Sequence, residues 1–523
     1  MELYGLLERG YFPKELPKPF TTVPYAQLMA AAYELSETPL PGDFGKDIVK
    51  KSNIRPAKEV FYSLARGGLL RRQLSICHPV LFFLLAREIV NNWQEIEPAV
   101  SGSKFAATAP VYNTTGRAIN GKFPQNGRTP LAIQNRIGAR FILKTDISRF
   151  YHSIYTHSIP WALHGKKVAK ANRTLNSLGN KLDYLVRQGQ DGQTVGIPIG
   201  PDTSLVIAEM LMHQVDGALY SALPQISGHR FIDDYELSFL TRDEAEKAYH
   251  LLDLELAEFE LALNPKKTSI ERLPLKLEEE WMSTLKNFKF NDKPKAQAHA
   301  LESYFSLAFE YHLKYEGDHV LQWAISRLRS LQLSDENWEL FQRLLMLSVT
   351  PEPACLPFVL ELIIQKRNGK PILEVELSKI LNTTIHEHAS LKHSSEVANA
   401  LWGCLALGLP LDNEAVDSVS QCRDSCVALL ALDCQIEGLT NKPLKTTVWE
   451  EYLNKDELYG DQWLLAYEVN IKGWLKPKNG QDYVAADPNF WFLKRNNVFF
   501  YRQKAEWGEM ELPTTPSFVP YQY

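Results

Sequence analysis

Two short stretches of the sequence place aspartates where strand-like patterns end. Residues 141–146 read FILKTD, an apolar run that ends at Asp146 and predicts a buried strand. Residues 229–239 read HRFIDDYELSF, which predicts a hairpin with Asp233 and Asp234 in its turn. Aspartate favours turns, so the pair alone has a purely structural explanation. Like charges this close repel each other, however, and a bound cation would relieve the repulsion.

Carboxylates at the ends of neighbouring strands are suited to divalent cations. Mg²⁺ prefers carboxylate oxygens and the phosphates of a substrate as ligands. Two such ions about 4 Å apart can stabilise the attacking and leaving oxygens of an in-line phosphoryl displacement. The grouping of Asp146, Asp233 and Asp234 therefore predicts metal-dependent chemistry on a phosphate ester.

The sequence around Asp146 is strongly basic, although the whole chain of 523 residues has a net charge of −5. Residues 98–182 contain thirteen Lys and Arg residues and a single acid, Asp146. A solvated basic face is one explanation of this pattern. A basic segment within an acidic chain also indicates a polyanionic partner such as a nucleic acid, and the lone carboxylate favours that second interpretation.

The composition argues against several other classes of protein. Hydrophobic residues make up 45% of the chain, which is typical of a globular protein, and no run of about 18 apolar residues predicts a membrane span. The N-terminal residues lack the basic and apolar regions of a signal peptide. Six cysteines form no CxxC pair, which predicts reduced, buried thiols in a cytoplasmic protein rather than disulfides or a zinc site.

Four sequence motifs resemble, in order and in spacing, those of reverse transcriptases of the right-hand polymerase type. TDISRFYHSI (145–154) resembles motif A, and GIPIGPDTSLVIAEML (196–211) resembles motif B. FIDD (231–234) resembles motif C, which is usually F/Y-x-D-D, and LALNPKKTSI (261–270) resembles motif D. The resemblance implies the fingers and palm of such a polymerase.

The resemblance also implies roles for the residues that match motifs A and C. Asp146 and Asp233 would hold two Mg²⁺ ions, and Asp234 would support one of them less directly. The main-chain carbonyl of Ile147 is a further expected metal ligand. Tyr151 stands at the family's sugar gate, where a bulky ring excludes a 2′-hydroxyl and favours dNTPs over NTPs. A core aromatic is the alternative for Tyr151.

Further residues are predicted to contact the nucleotide. Gly200 would let the backbone approach a base or sugar closely. Ile199 replaces the family's usual glutamine before that glycine, which leaves strict templating open. Lys267 matches the motif D lysine, a proton donor to the leaving pyrophosphate, with a solvated loop lysine as the alternative. Arg71 and Arg72, in a segment that resembles the fingers, are predicted to bind the triphosphate.

The sequence after the palm predicts a different architecture. Apolar residues recur there at helical spacing in successive segments of about 12–16 residues, which indicates an array of helices. The predicted fold is α+β, with an all-α, HEAT-like helical-repeat domain after the polymerase fingers and palm. Its predicted parts are an N-terminal lead with helical fingers (1–100), the palm (101–285) and the helical-repeat domain (286–523).

This combination resembles the bacterial antiviral reverse transcriptases of the abortive-infection and defence-associated (AbiK-like) group. YTHSIPWALHGK (155–166) and LYGDQWLLAYEVN (458–470) look like that group in particular. The resemblance implies an RNA-directed DNA polymerase that acts in antiphage defence and joins dNTPs into single-stranded DNA. It also implies homo-oligomers, and synthesis that is template-independent or templated by a non-coding RNA. Protein priming would need a reachable hydroxyl, and Tyr25, Tyr521 and Tyr523 are candidates.

Two rival hypotheses stay open at this point. The first is a polymerase-fold scaffold with weak or no synthesis, whose helical array binds a partner. The second is an RNA-synthesising relative, which Tyr151 disfavours. The complete set of Asp146, Asp233 and Asp234 favours an active polymerase, because a scaffold would be free to lose one of the three carboxylates.

Overall fold

The computed structural model of the chain describes residues 1–34, 40–50, 53–68, 70–124, 127–478 and 480–507. Tyr521 and Tyr523 lie outside these residues, so their role in priming stays a prediction. The strands of the described residues form one four-stranded sheet and two hairpins. They are β1 (Val60–Ala65), β2 (Arg71–Ile76), β3 (Pro110–Tyr112), β4 (Ile119–Gly121), β5 (Phe141–Asp146), β6 (Ser227–Phe231), β7 (Asp234–Phe239) and β8 (Ser269–Arg272).

The four-stranded sheet is antiparallel throughout, with the strand order β6-β7-β5-β8. The apolar pattern of β5 buries Ile142 and Leu143 completely, and Leu237 of β7 is buried beside them. This register places Asp146, at the end of β5, opposite Asp234, at the start of β7. The two strands predicted to carry the aspartates are therefore neighbours, as the sequence indicated.

Eleven helices of the described residues precede or surround the sheet. The longest of them packs against four of the others and is buried along much of its length. The helices are α1 (Leu3–Arg9), α2 (Val23–Glu34), α3 (Pro79–Asn91), α4 (Trp93–Ser101), α5 (Arg128–Arg136), α6 (Phe150–Ser153), α7 (Ser158–His164), α8 (Lys166–Ala171), α9 (Leu178–Gln188), α10 (Asp202–Ala222) and α11 (Arg242–Glu258).

The N-terminal hundred residues contain helices, as predicted, and also the hairpin of β1 and β2, which was not predicted. The segment VFYSLA of β1 is rich in residues that favour strands, and its alternate residues Val60 and Tyr62 are buried. The predicted "helical fingers" therefore need correction, because a two-stranded ribbon lies between α2 and α3. The prediction followed the resemblance of this region to polymerase fingers, and the strand pattern of residues 60–65 was not singled out.

From residue 280 onwards, the regular elements of the described residues are all helical. Their apolar faces pack on one another in two layers, which is the reason for their helical spacing of apolar residues. The helices are α12 (Glu280–Asn287), α13 (Pro294–Lys314), α14 (Val320–Arg327), α15 (Trp338–Leu347), α16 (Leu356–Lys366), α17 (Glu374–Ala389), α18 (Ser394–Leu407), α19 (Asn413–Val419), α20 (Ser425–Ile436), α21 (Thr447–Glu450), α22 (Trp463–Lys472) and α23 (Pro488–Arg495).

The two layers follow the chain order of the helices. In one layer α14, α16, α18, α20 and α22 contact one another in sequence, whereas α13 contacts α15 and α17 contacts α19 in the other. This is the alternation of a helical-repeat array. The segment after the last helix of the array contacts the N-terminal segment. The main-chain nitrogen of Thr21 donates a hydrogen bond of 2.9 Å to the Phe500 carbonyl.

Two predictions from composition can be compared with the structure. All six cysteines are free and buried, which confirms the prediction of buried thiols. Across the described ranges, the structure has no helix that combines the length and the apolar character needed to cross a membrane.

Candidate active site

The two central strands and the turn between β6 and β7 bring the three predicted aspartates together. Asp146 and Asp234 face each other in register across β5 and β7. Asp233 occupies the turn, and its carbonyl accepts a hydrogen bond of 3.2 Å from the main-chain nitrogen of Ile147. Asp234 is the first residue of β7 and does not belong to the turn. The turn consists of Ile232 and Asp233, so it begins one residue before the predicted turn.

A cavity of about 610 Å³ opens at this edge of the sheet. Its walls come from the turn before β7, the end of β5, the start of α10, the hairpin of β1 and β2 and the segment before β8. Of the nine predicted site residues, all but Asp234 line this cavity. They are Arg71, Arg72, Asp146, Ile147, Tyr151, Gly200, Asp233 and Lys267.

Basic side chains and one amide are paired with two of the three carboxylates. Lys267 Nζ lies 3.0 Å from Asp146 Oδ2, and Asn264 Nδ2 donates to Asp146 Oδ1 at 3.2 Å. Arg128 Nη2 lies 3.1 Å from Asp234 Oδ2. Lys267 is therefore a neighbour of a catalytic candidate, although its ammonium group also reaches solvent. Arg128, which pairs with Asp234, does not line the cavity.

The electrostatics of Asp233 suit a bound cation. Burial, together with the nearby charges of Asp234 and Asp146, raises the pKa of its carboxyl group to about 7. Three carboxylates and a main-chain carbonyl offer the oxygen ligands that Mg²⁺ prefers. Because a divalent cation would offset this mutual repulsion, Asp146, Ile147 and Asp233, which line one cavity, fit the predicted metal site. Metal ligation by Asp234, which pairs with Arg128 and does not line the cavity, stays a prediction.

Part of the chain matches a known protein family. Residues 107–296 match the family model described as "Reverse transcriptase (RNA-dependent DNA polymerase)". These residues therefore have the fold of a reverse transcriptase, and we call them the reverse transcriptase domain. The match spans all four motifs and the complete four-stranded sheet. Together with the helices that follow residue 280, the match confirms the predicted fold class, a reverse transcriptase followed by a helical domain. It supports the predicted enzyme at the general level of a polymerase.

Comparisons with other proteins add little to this assignment. No curated protein matches the chain. The structure of apo telomerase from Candida tropicalis is 12% identical, with a TM-score of 0.34 over 66% of this chain and 68% of that one. Telomerase from Candida albicans, solved with a fragment of telomeric RNA, is 13% identical, with a TM-score of 0.21 over 58% of this chain and 49% of that one. These scores are too low to support any argument about function.

The turn that carries Asp233 in the reverse transcriptase domain is strained. Ile232 has a φ of +58°, a left-handed conformation that is rare for a β-branched residue. Both of its main-chain polar groups are held. Its nitrogen donates to Thr108 Oγ1 at 2.9 Å, and its carbonyl accepts from Arg230 Nη1 at 2.7 Å. Surrounding structure must hold such a conformation in place, and here it does.

A buried ion network lies behind this turn. The Arg230 guanidinium is fully buried and contacts Glu209 at 2.8 Å and Asp216 at 2.7 Å. Thr108 Oγ1, which binds the Ile232 nitrogen, donates to Glu209 at 2.6 Å. The charges of Arg230, Glu209 and Asp216 are therefore satisfied only by one another and by their polar neighbours. The network connects the long helix α10 to the residue that precedes Asp233.

Sequence reasoning missed this network and Asn264. A signal for the network was present, because Glu209 and Asp216 are seven residues apart on one face of an otherwise apolar helix. Two acids on a buried face require a buried cation, and Arg230 is the arginine beside the aspartate pair. Asn264 belongs to the LNPKK stretch of motif D, where only Lys267 was assigned a role.

Both arginines that were predicted to bind the triphosphate line the cavity, but Arg71 also pairs with an acidic side chain. Arg71 makes a bidentate contact with Glu396 of α18, with Nη1–Oε1 at 2.6 Å and Nη2–Oε2 at 2.8 Å. Glu396 is almost fully buried, so this pair joins the fingers hairpin to the helical domain. Arg72 also lines the cavity. The role of both arginines in binding a triphosphate stays a prediction.

The structure argues against one candidate for priming. Tyr25 is completely buried in α2, and its hydroxyl donates to the Pro79 carbonyl at 2.7 Å. A priming hydroxyl would have to reach the carboxylates that are predicted to be catalytic. The prediction for Tyr25 is therefore wrong, because tertiary packing encloses a segment that was expected to be mobile near the chain terminus.

Gly200 is required by its own backbone and by a close neighbour. Its φ is +128°, a region that side chains rarely adopt, and a Cβ there would lie 2.7 Å from Pro13 Cγ. The Gly200 carbonyl accepts a 2.8 Å hydrogen bond from Arg117, which also binds Asp202 at the start of α10. In this structure the close approach is made by the N-terminal segment, and an approach by a base or sugar stays a prediction.

Gly200→Ala is expected to destabilise the protein by about 2 kcal/mol or more, because the new side chain meets both backbone strain and Pro13. Thermal or urea unfolding measures this effect. The matched control is Gly217→Ala in α10, where a Cβ would meet nothing within 4 Å. That change is expected to stabilise the helix by about 0.5–1 kcal/mol. Equal stability of the two variants would contradict the strain at Gly200.

Proposed function

We propose that the protein is a DNA polymerase that joins dNTPs by two-metal phosphoryl transfer, with Asp146 and Asp233 as the principal metal ligands. The observation that carries the proposal is the lining of one cavity by Asp146, Asp233, Tyr151 and Lys267, within a reverse transcriptase domain. In the proposed mechanism, Asp234 and the Ile147 carbonyl complete the ligand set. Two bound Mg²⁺ ions would stabilise the charge on the attacking and leaving oxygens.

The chain's own side chains would position the nucleotide and move one proton. Basic residues around the cavity would attract the triphosphate, and Arg72 is the candidate that comes from the fingers hairpin. Lys267 would donate a proton to the leaving pyrophosphate, and its position 3.0 Å from Asp146 keeps its ammonium group at the reacting end of the cavity. Gly200 and Ile199 at the start of motif B would contact the base or sugar.

Tyr151→Ala is expected to raise NTP incorporation relative to dNTP incorporation by about tenfold or more, because the ring that meets a 2′-hydroxyl is removed. The ratio of kcat/KM for a dNTP and the matching NTP measures this selectivity. Tyr151→Phe is the control, since it keeps the ring and loses only the hydroxyl group, and it should retain wild-type selectivity. Unchanged selectivity in Tyr151→Ala would refute the sugar gate.

Template choice and priming are proposed from the resemblance to defence-associated reverse transcriptases. We propose synthesis that is template-independent or templated by a non-coding RNA, with the first nucleotide attached to the protein. The test is to incubate the purified protein with Mg²⁺ and labelled dNTPs, with and without primed RNA. Label released from the protein only by protease supports protein priming, and product that requires RNA supports templating.

The role in antiphage defence is proposed on the same resemblance, together with the helical domain that follows the reverse transcriptase domain. Cells that express the wild-type protein should form fewer plaques across a panel of phages than cells that express Asp233→Ala at the same level. Equal plaque counts across the panel would contradict the proposal. The proposed homo-oligomer is tested separately by light scattering on the purified protein.

A scaffold function is the second candidate, and the Arg71–Glu396 pair favours it. Arg71, which was predicted to bind the triphosphate, pairs instead with Glu396 of the helical domain. In a scaffold, the helical array would bind a partner while the cavity stayed inactive. If no labelled product forms under any of the conditions above, including primed RNA, the scaffold becomes the better account.

A further inference from the structure

A second cavity, of about 310 Å³, adjoins the active-site cavity. Its walls are the N-terminal segment around residues 14–18, the end of β1 and the start of β2, and helices α14, α16 and α18 of the helical domain. Four residues line both cavities, namely Lys14, Glu15, Arg66 and Arg72. The two cavities are therefore immediate neighbours, separated by no more than these four residues.

The walls of this second cavity carry a positive charge. Its lining includes five Lys and Arg residues and two acids. One of the acids, Glu361, is neutralised by a bidentate contact with Arg329, at 2.9 and 2.7 Å. The basic excess predicts an anionic ligand. The five basic residues are Lys14, Lys18, Arg66, Arg72 and Arg329.

Two donors at this cavity lack an acceptor within the described residues. They are the indole Nε1 of Trp402 and the ammonium Nζ of Lys18, and both atoms are buried. Trp402 is 4% exposed, and Lys18 Nζ lies 5.5 Å from the centroid of its ring. Buried donors are nearly always paired in native proteins. Because both atoms are donors, a ligand that pairs with them has to offer hydrogen-bond acceptors.

We propose that this cavity holds one nucleotide unit of a single-stranded nucleic acid whose reacting end lies at Asp146 and Asp233. Lys18 and Trp402 would donate to its phosphate or base oxygens. Phosphate supplies the negative charge and the acceptors, and the walls shared with the active-site cavity favour a strand over a small free anion. The volume is near the lower end for ligand pockets, about 300 Å³, which suits a single strand and not a duplex. The inference rests on the polymerase function proposed above.

The test is the binding of fluorescein-labelled twelve-residue oligo(dT) and oligo(rU) to the full chain, measured by anisotropy without Mg²⁺ or dNTPs. Lys18→Ala should weaken binding about tenfold or more, since a charge-assisted hydrogen bond is lost. Trp402→Phe should weaken it about fivefold, because the indole donor is lost. The matched controls are Lys445→Ala and Trp491→Phe, which alter exposed residues outside the cavity and should leave the affinity unchanged.

Photo-cross-linking supplies a second readout that does not depend on the folding of a variant. A strand that contains 4-thiothymidine or 4-thiouridine is irradiated on the wild-type protein, and adducts are located by mass spectrometry. Adducts on peptides that contain Lys18 or Trp402 support the proposal. The DNA and RNA arms show whether the strand that ends at the aspartates is DNA or RNA. Unchanged affinity in both cavity variants, with adducts only elsewhere, would overturn it.

The two proposals fail in different ways. If the wild-type protein synthesises DNA while Lys18→Ala and Trp402→Phe bind both strands normally, the strand site is refuted and the polymerase stands. If the protein binds strands through Lys18 and Trp402 but makes no DNA in any assay, the polymerase is refuted. Strand binding at the second cavity would then be a property of a scaffold protein that does not synthesise DNA.

Discussion

Asp146→Ala and Asp233→Ala are each expected to lower the rate of dNTP incorporation by about a thousandfold or more, because each removes a carboxylate from the predicted metal site. Asp234→Ala is expected to have a smaller effect. Its side chain pairs with Arg128 and does not line the cavity that the other two aspartates share. The rates are measured as labelled dNTP incorporated per unit time at saturating Mg²⁺.

The order of these three effects distinguishes a metal site from a loss of folding. Asp243→Ala is the control, since Asp243 is exposed in the first turn of α11 and should have wild-type activity. All variants should show wild-type circular dichroism and oligomeric state. If Asp234→Ala were as damaging as Asp233→Ala, with folding intact in both, the assignment of a less direct role to Asp234 would be wrong.

Arg230→Met is expected to destabilise the protein by about 3–5 kcal/mol, since it leaves Glu209 and Asp216 as buried charges without their cation. Urea unfolding monitored by fluorescence measures the loss. The control is Arg242→Met on α11, where the side chain is 64% exposed and pairs with Glu246. An exposed pair of this kind contributes about 0.3–0.5 kcal/mol, so the control should be close to wild type.

A charge-neutralised variant tests the cause of that loss. Combining Arg230→Met with Glu209→Gln and Asp216→Asn removes the buried negative charges along with the cation. The triple variant should therefore be more stable than Arg230→Met alone. Arg230 also holds the strained Ile232 carbonyl before Asp233, so the triple variant should fold yet synthesise DNA slowly. Normal synthesis in a folded triple variant would show that the network supports stability alone.

The parts of the site that the sequence predicted well are local in the chain. Asp146 ends one predicted strand and Asp233 follows another, and hydrogen bonding between the strands brings these ends together. The motif order then predicted that Tyr151, Gly200 and Lys267 would lie near them, and all three line the same cavity. The pattern of apolar residues and the short motifs are therefore sufficient to predict these strands and the residues near their ends.

The parts that could not be predicted are contacts between residues that are distant in the chain. Thr108 binds Glu209 across 101 positions, and Arg71 binds Glu396 across 325. No periodicity within either segment indicates the partner, because the pairing depends on how helices and strands pack in three dimensions. The same limit applies to Tyr25, whose burial depends on Pro79 and other distant residues.

The helical domain illustrates a further limit. Amphipathic spacing predicted its helices, yet the spacing alone does not show which helix faces the reverse transcriptase domain. In the structure, Ser394 and Ser395 at the start of α18 accept hydrogen bonds from the β1 nitrogens of Ser63 and Ala65. The helical domain therefore completes the wall of the second cavity. That arrangement depends on tertiary packing and has no signature in the local sequence.

Metal-dependent incorporation of dNTPs by the purified protein is the most direct test of the polymerase. Wild-type protein is incubated with labelled dNTPs in Mg²⁺ and, in parallel, in EDTA, with and without primed RNA, beside Asp233→Ala in Mg²⁺. The proposed function predicts labelled polymer from the wild-type protein in Mg²⁺, and background signal from the EDTA sample and from the variant. No polymer from the wild-type protein under any condition, or equal polymer from Asp233→Ala, would contradict it.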